Sequence, residues 1–233
     1  MELPRLISME VSSNGRFDFY YRILANRSVR YIAIKAGALN AEALDDMPLD
    51  FQTCITRDPS SGQLETTLSL AELPGVETIW HPRIIGSLDI ERTKRFTLLA
   101  QECKYKTESS PKRAVAKMAR FHWEVQYMEA ETRMYQVLEG QGIAPEFFGH
   151  VHEAGRAIGF LLEKVVDGRN AESSDLEICK ATLHRFHTLG FMHGDCNKYN
   201  FIIRPDGRAV LIDFDHSKFC TDPAPRKAEI ASL

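Results

Sequence analysis

Apolar and polar positions alternate along the first third of the chain, as they do in strands with one buried face. Within Phe17–Leu24, Phe17, Phe19 and Tyr21 alternate with Asp18 and Tyr20. Arg5–Val11 before it and Val29–Ala36 after it also predict strands. Ser13-Asn14-Gly15 and Ala25-Asn26-Arg27-Ser28 are turn signals, so these strands are expected to form an antiparallel meander. Residues 37–57 are mixed, and Asp58-Pro59-Ser60-Ser61-Gly62 reads as a loop. Breaks follow at Pro74-Gly75 and His81-Pro82, and a boundary is drawn near residue 82. Residues 1–82 are then a β-rich N-terminal extension.

Beyond residue 82 the pattern changes. Arg95–Cys103 and Arg113–Ala119 predict strands around the polar loop Lys104–Lys112. Trp123–Leu138 has helical period, with Val125, Met128, Thr132, Tyr135 and Leu138 on one face and Gly140 as its stop. Glu146–Val151 and Ala157–Val165 predict a hairpin. A helix is expected to begin at Ser174, with Glu177 completing a capping box and Leu176, Cys179, Leu183 and Phe186 as its apolar face. Gly190 ends it, and a polar loop follows.

Composition narrows the class. The 233 residues are 44% hydrophobic and 26% charged, enough to bury a core. The net charge of −3 argues against nucleic-acid binding by bulk positive charge. No apolar run approaches the ~20 residues of a membrane helix. MELPRLISMEVSS lacks the basic-then-apolar form of a secretory signal. The five cysteines, Cys54, Cys103, Cys179, Cys196 and Cys220, are scattered without a C-x-x-C, as reduced thiols are. A cytoplasmic or nuclear location, without secretion, is expected.

Candidate chemistry sits in one loop. Phe191-Met-His-Gly-Asp-Cys-Asn-Lys-Tyr-Asn-Phe-Ile-Ile203 has the form H-G-D-x-x-x-x-N, and Leu211-Ile-Asp-Phe-Asp215 follows it. A short hairpin joins them, Phe201–Arg204 and Ala209–Ile212, turning at Pro205-Asp206-Gly207. Together these motifs resemble the catalytic core of the protein-kinase-like superfamily, in its H-G-D branch of aminoglycoside- and choline-kinase-like proteins and small atypical kinases. The overall pattern also resembles small fungal kinase-like proteins. The resemblance covers roughly residues 84–220. It implies an α+β, bilobal fold with an antiparallel β-rich N-lobe and a short helical C-lobe. It also implies ATP and Mg2+ as cofactors, with a protein or small molecule as the hydroxyl acceptor.

The resemblance assigns roles residue by residue. Phosphoryl transfer depends on positioning and on neutralising phosphate charge. Asp195 would orient the attacking hydroxyl, and Asn200 and Asp213 would hold Mg2+ through hard oxygen ligands. His193 would support the loop from its core side. Ala114-Val115-Ala116-Lys117 ends an expected strand just before a helix, so Lys117 is the candidate phosphate lysine. Glu131 lies beside that helix's apolar stripe and is its natural partner. Gly159-Phe-Leu-Leu-Glu-Lys-Val165 looks like the strand running into the adenine-binding linker. Backbone groups near Glu163 to Val165 would bind adenine, with Leu161 or Leu162 bordering the pocket.

Departures from the pattern are equally specific. No G-x-G-x-x-G precedes Lys117; Ser87–Lys94 is the candidate for that place, with glycine only at Gly86. D-F-D replaces D-F-G, and Asp215 is read as an exposed acid rather than a ligand. Asn197 stands where protein kinases carry a phosphate-contacting lysine, and the adjacent Lys198 is the candidate substitute. The 20 residues after Asp213 suggest a minimal or truncated kinase-like domain over 83–233. The alternative function is a catalytically weak pseudokinase that binds nucleotide or protein. Ile32-Ala33-Ile34-Lys35 also mimics the lysine strand but precedes a loop, and is read as chance. His150 with His152 and His184 with His187 are read as structural histidines. Ser109-Ser110-Pro111 resembles a phosphorylatable loop of low specificity.

Overall fold

The computed structural model describes residues 4–11, 18–35, 38, 53–68, 73–107 and 110–233. The Ser13-Asn14-Gly15 turn, Phe17, Ala36 and Ser109 lie outside the described residues. The chain divides into two compact units, Met1–Pro74 and Gly75–Leu233.

The first unit is a five-stranded sheet in the order β1-β2-β3-β4-β5. Its strands are β1 (Arg5–Val11), β2 (Phe19–Ala25), β3 (Ser28–Ile34), β4 (Thr53–Arg57) and β5 (Leu64–Leu68). The β1-β2-β3 meander is antiparallel, and β4 joins β3 in parallel. Asn26 and Arg27, at φ 49° and 60°, make the tight turn between β2 and β3. That left-handed geometry matches the twist of the flanking strands. Ile23, Ile32, Ile34, Ala38 and Ile55 form a buried cluster, with Phe19 and Tyr21 packed on it. Lys35, the look-alike lysine, pairs with Asp18 at 2.7 Å.

The second unit has mixed α and β content. Its main sheet runs β6-β10-β11-β9-β8-β7. The strands are β6 (Ile84–Gly86), β7 (Ile90–Arg95), β8 (Ala100–Tyr105), β9 (Lys112–Met118), β10 (Phe147–Glu153) and β11 (Arg156–Glu163). The expected strand Arg95–Cys103 is instead broken by a turn. The N–H groups of Phe96 and Thr97 donate to Ala100 O at 3.0 Å, and Thr97 Oγ1 accepts from Leu99 and Ala100 N–H. These local bonds close a turn over 96–99 that alternation alone does not reveal. One face of the sheet packs Cys103, Ala114, Ala116, Ile158 and Leu161 into a closed apolar cluster. Gly159 permits the close β9–β11 approach: a Cβ there would lie 2.1 Å from Lys117 O.

Residues 75–82 pack in this unit. Val76 N–H donates to Ala157 O at 2.8 Å, and the Trp80 ring lies 4.6 Å from Phe147 between centroids. The Trp80 and His81 N–H groups both donate to His150 Nε2 at 3.2 Å. His150 is therefore structural, and burial with neighbouring His81 and His152 pushes it down to about 4.

Helix α1 (Val125–Leu138) buries Val125, Met128, Glu131, Thr132, Met134, Tyr135 and Leu138. Helix α2 (Leu176–Thr188) follows a 3-10 turn, Ser173–Asp175. Its start is fixed by Asp175, whose carboxylate accepts from Glu172 N–H at 2.8 Å and clasps Arg169. Ser174 and Glu177 are thus not the capping pair; Glu177 faces Lys180 instead. Short strands β12 (Arg169–Asn170), β14 (Phe201–Ile203) and β15 (Ala209–Leu211) form one small sheet. Strands β13 (Phe191–Met192) and β16 (Lys218–Phe219) form another. Helix α3 (Pro223–Ala231) closes the described chain, capped by Asp222, which accepts from Ala224 N–H at 2.9 Å. Among the described residues no helix is long and apolar enough to cross a membrane.

Candidate active site

Lys117 projects from the face of β9 opposite the closed apolar cluster. Side chains alternate along a strand, so Val115 shares its face. Leu162 pairs with Val115 across β11 and joins that face, whereas Leu161 packs into the cluster behind it. Lys117's ammonium contacts Glu131 of α1 and Asp213, which follows β15. Glu131 is 1% exposed. Burial pushes its carboxyl up to about 7, against the pull of Lys117. Burial disfavours the Lys117 ammonium, but the two carboxylates more than offset it and hold it above the usual lysine range.

Asp213 stands at φ 69°. Aspartate tolerates this left-handed geometry better than most residues, and such conformations cluster at functional sites. The turn aims Asp213 at Lys117 while Phe214 enters the core. The Phe214 ring lies 5.3 Å from Tyr135 and 5.3 Å from His193, and Tyr135 lies 5.9 Å from Phe147. This aromatic column links β10, α1, the Asp213 turn and the His193 loop.

The H-G-D loop is built by side chain to backbone bonds. Asn200, 6% exposed, donates through Nδ2 to Asp195 O at 2.8 Å and Oδ2 at 3.0 Å. Asn197 Nδ2 donates to Asp195 Oδ1 at 3.2 Å, and its Oδ1 caps the 3-10 turn Lys198–Asn200. Ile212 N–H donates to Asn200 O at 3.0 Å, which joins the loop to the Asp213 turn. His193 is fully buried, with Nε2 3.0 Å from Ile212 O and Nδ1 accepting from Asp195 N–H at 3.4 Å. It supports the loop from the core, and burial keeps it below its ordinary pKa. Gly194 sits at φ 84°, and a Cβ there would lie 2.4 Å from His216 O. Asp195 itself is exposed.

Glu229 of α3 carries no sequence signal and is the main residue missed. It accepts from Gly194 N–H at 2.6 Å, His193 N–H at 3.2 Å and His187 Nε2 at 2.7 Å. Burial raises its carboxyl, but these three donors outweigh that and hold it below the usual range. Burial and Glu229 push the Cys196 thiol well up, away from the thiolate form.

The other sequence candidates are placed less centrally. Lys198 is exposed, its ammonium 5.0 Å over the Tyr199 ring. Asp215 is only 21% exposed in its side chain and acts electrostatically on Glu131, so it is not the exposed acid expected. Glu163 is committed within the chain. Its N–H donates to Glu146 O at 2.8 Å, and its carboxylate takes a bidentate pair from Arg204 at 2.6 and 2.5 Å. Val165 O accepts from Gly168 N–H at 3.4 Å. Ser87–Lys94 forms a 3-10 turn and most of β7; the turn Phe96–Leu99 joins β7 to β8, the strand next to that of Lys117.

Among the described residues, no cluster of three or more His, Cys, Asp or Glu side chains forms a metal cage. The donor set nevertheless fits magnesium, which takes one or two protein oxygens and completes its shell with phosphates and water. Asn200 spends its amino group on Asp195, leaving its amide oxygen for such a role, and Asp213 supplies a carboxylate that is 41% exposed.

The mixed α and β content of the second unit is compatible with a kinase-like fold. Residues 164–231 match the model of the Lipopolysaccharide kinase (Kdo/WaaP) family. The match bears out the resemblance to the protein-kinase-like superfamily; it does not address the H-G-D branch or the small fungal proteins. It spans Asp195, Asn200, Asp213 and Glu229 and leaves out Lys117 and Glu131. No curated protein shows a significant match to the chain.

Proposed function

We propose that the unit Gly75–Leu233 is an ATP-dependent phosphotransferase of bilobal kinase form. It would move the γ-phosphate to a hydroxyl of a protein or small molecule. The observation that carries this reading is Lys117, whose ammonium contacts Glu131 and Asp213 together. Three separate segments converge there on the charges that a nucleotide triphosphate requires. Lys117 binds the phosphates, and Glu131 fixes its direction. Asn200 and Asp213 hold Mg2+, which neutralises charge on the phosphates when bound. Asp195, held by Asn197 and Asn200, orients the acceptor hydroxyl and takes its proton. The match to a kinase family over 164–231 supports the reading. Its test is transfer of labelled phosphate from Mg-ATP to a mixed acceptor panel. Asp195→Ala should lose transfer and retain nucleotide binding.

A second reading, a nucleotide-binding module without turnover, is favoured by the Phe96–Leu99 turn. The N–H groups of Phe96, Thr97, Leu99 and Ala100 are all used within it. They are not free to cradle a phosphate, as glycine-rich loops do. Binding of Mg-ATP with no labelled product under single-turnover conditions would decide for this reading.

A further inference from the structure

The face of the sheet that carries Lys117 also carries a buried carboxylate. Glu102 pairs with Val115 across β8 and β9, and Leu162 pairs with Val115 across β9 and β11. Directly opposed residues point to one face, so Glu102, Val115, Leu162 and Lys117 share it. Glu102 is only 5% exposed in its side chain. A carboxylate in such a place is costly unless fully partnered. Its Oε1 takes Arg113 Nε at 2.7 Å and also Arg113 Nη2. Its Oε2 takes Lys164 Nζ at 2.8 Å. Lys164 follows β11 directly, in the linker toward α2, and its ammonium lies 5.8 Å from the Phe96 ring centre.

A carboxylate oxygen accepts two hydrogen bonds and an ammonium donates three. Oε1 is filled by Arg113, Oε2 has one acceptor site left, and Lys164 has donors beyond the one on Glu102. An acceptor and a donor therefore stand side by side, level with Val115 and Leu162 and displaced from Lys117 toward the linker. Two linker backbone groups are meanwhile engaged: Glu163 N–H goes to Glu146 O, and Val165 O receives Gly168 N–H.

We propose that Glu102 and Lys164 are a side-chain reader for the hydrogen-bonding edge of the nucleobase, with Phe96 as its stacking ring. The inference rests on the nucleotide-binding reading above and names the base-specificity residues of that site. Adenine presents an N6 amino donor next to the N1 acceptor. The donor meets Glu102 Oε2 and the acceptor meets Lys164 Nζ. Phe96 is 46% exposed at the turn and supplies an aromatic ring, with the ammonium groups of Lys94 and Lys164 each 5.8 Å from its centre. The pair contributes to the base alone, since the triphosphate lies toward Lys117.

The test is calorimetric titration of the full chain with Mg-ATP and, separately, with magnesium tripolyphosphate, which lacks the base. Glu102→Gln keeps the side chain's size, and Lys164→Met keeps the apolar stem of a side chain already 25% exposed. Each should weaken Mg-ATP about tenfold and leave tripolyphosphate within about twofold. Equal weakening of both probes would mark the pair as a mere structural tie and overturn the inference. Unchanged Mg-ATP affinity in both variants would also overturn it, while leaving the nucleotide-binding reading intact. If the wild-type chain binds neither probe, the nucleotide reading fails and the inference fails with it.

Discussion

Glu229 accepts the N–H of Gly194 at 2.6 Å, so the last helix of the chain holds the backbone of the H-G-D loop. The same carboxylate takes His193 N–H and His187 Nε2. Glu229→Ala would leave two loop amides and a buried imidazole without their acceptor. A loss of about 2–4 kcal/mol in unfolding free energy is expected. Urea denaturation measures it. Glu229→Gln, which retains one acceptor oxygen, should lose less. A wild-type midpoint in Glu229→Ala would mean the helix does not hold the loop.

The meeting of Lys117 with Glu131 and Asp213, and of Asp195 with Asn200, could be anticipated because Lys117 and Glu131 sit on periodic elements and the others in motifs of fixed spacing. Leu162 was separable from Leu161 only once the register with Val115 was known. Glu229 was illegible because its partner Gly194 lies 35 positions away, and Glu102 because its partners Arg113 and Lys164 lie 11 and 62 positions away on other strands and segments. The Phe96–Leu99 turn was missed because a threonine hydroxyl, not a glycine or proline, closes it. The same holds for α2, where Asp175 displaced the expected Ser174–Glu177 cap by binding Arg169 as well.

Nucleotide affinity should rise with pH through about 7. Burial raises Glu131 to about 7, with Asp213 and Asp215 acting in the same direction and Lys117 against it. Tyr135 also faces it on α1, its hydroxyl raised by burial and by the Glu131 charge. Below that pH the carboxyl is protonated and its hold on Lys117 weakens. The stability effect has the opposite sign. Between its ordinary pKa and about 7, the folded state keeps a proton that the unfolded chain releases, so this group's contribution to stability falls as pH rises. Mg-ATP titrations across about pH 5.5–8.5 should show the rise in wild type and a flat profile in Glu131→Gln. A flat wild-type profile would contradict the assignment.

His150 should make the fold acid-sensitive in a separate window. It is held neutral down to about 4 by burial and by the neighbouring imidazoles His81 and His152. The unfolded chain takes up its proton near the ordinary histidine pKa, so stability present above that pKa is lost as pH falls toward 4. Melting temperatures of wild type and His150→Phe over this range should diverge. The variant starts lower, having lost the acceptor for the Trp80 and His81 amides, but its acid slope should be shallower.

Gly159→Ala should destabilise the sheet that carries Lys117. The added Cβ would meet Lys117 O at 2.1 Å and Met118 Cα at 2.7 Å, both backbone atoms that cannot turn aside. A cost of about 2–4 kcal/mol is expected by denaturation, with weaker Mg-ATP binding as β9 shifts. Unchanged stability would show that β9 and β11 are less closely apposed than described.

A magnesium nucleotide is expected to bind at Lys117 and Asp213. The most direct measurement is the melting temperature with and without Mg-ATP, in wild type and in Asp213→Asn. Asparagine tolerates the same left-handed backbone and removes only the charge. Wild type should gain about 5–10 °C at a ligand concentration about one hundred times Kd, and the variant should gain little or nothing. No gain in wild type, or an equal gain in both, would contradict the account.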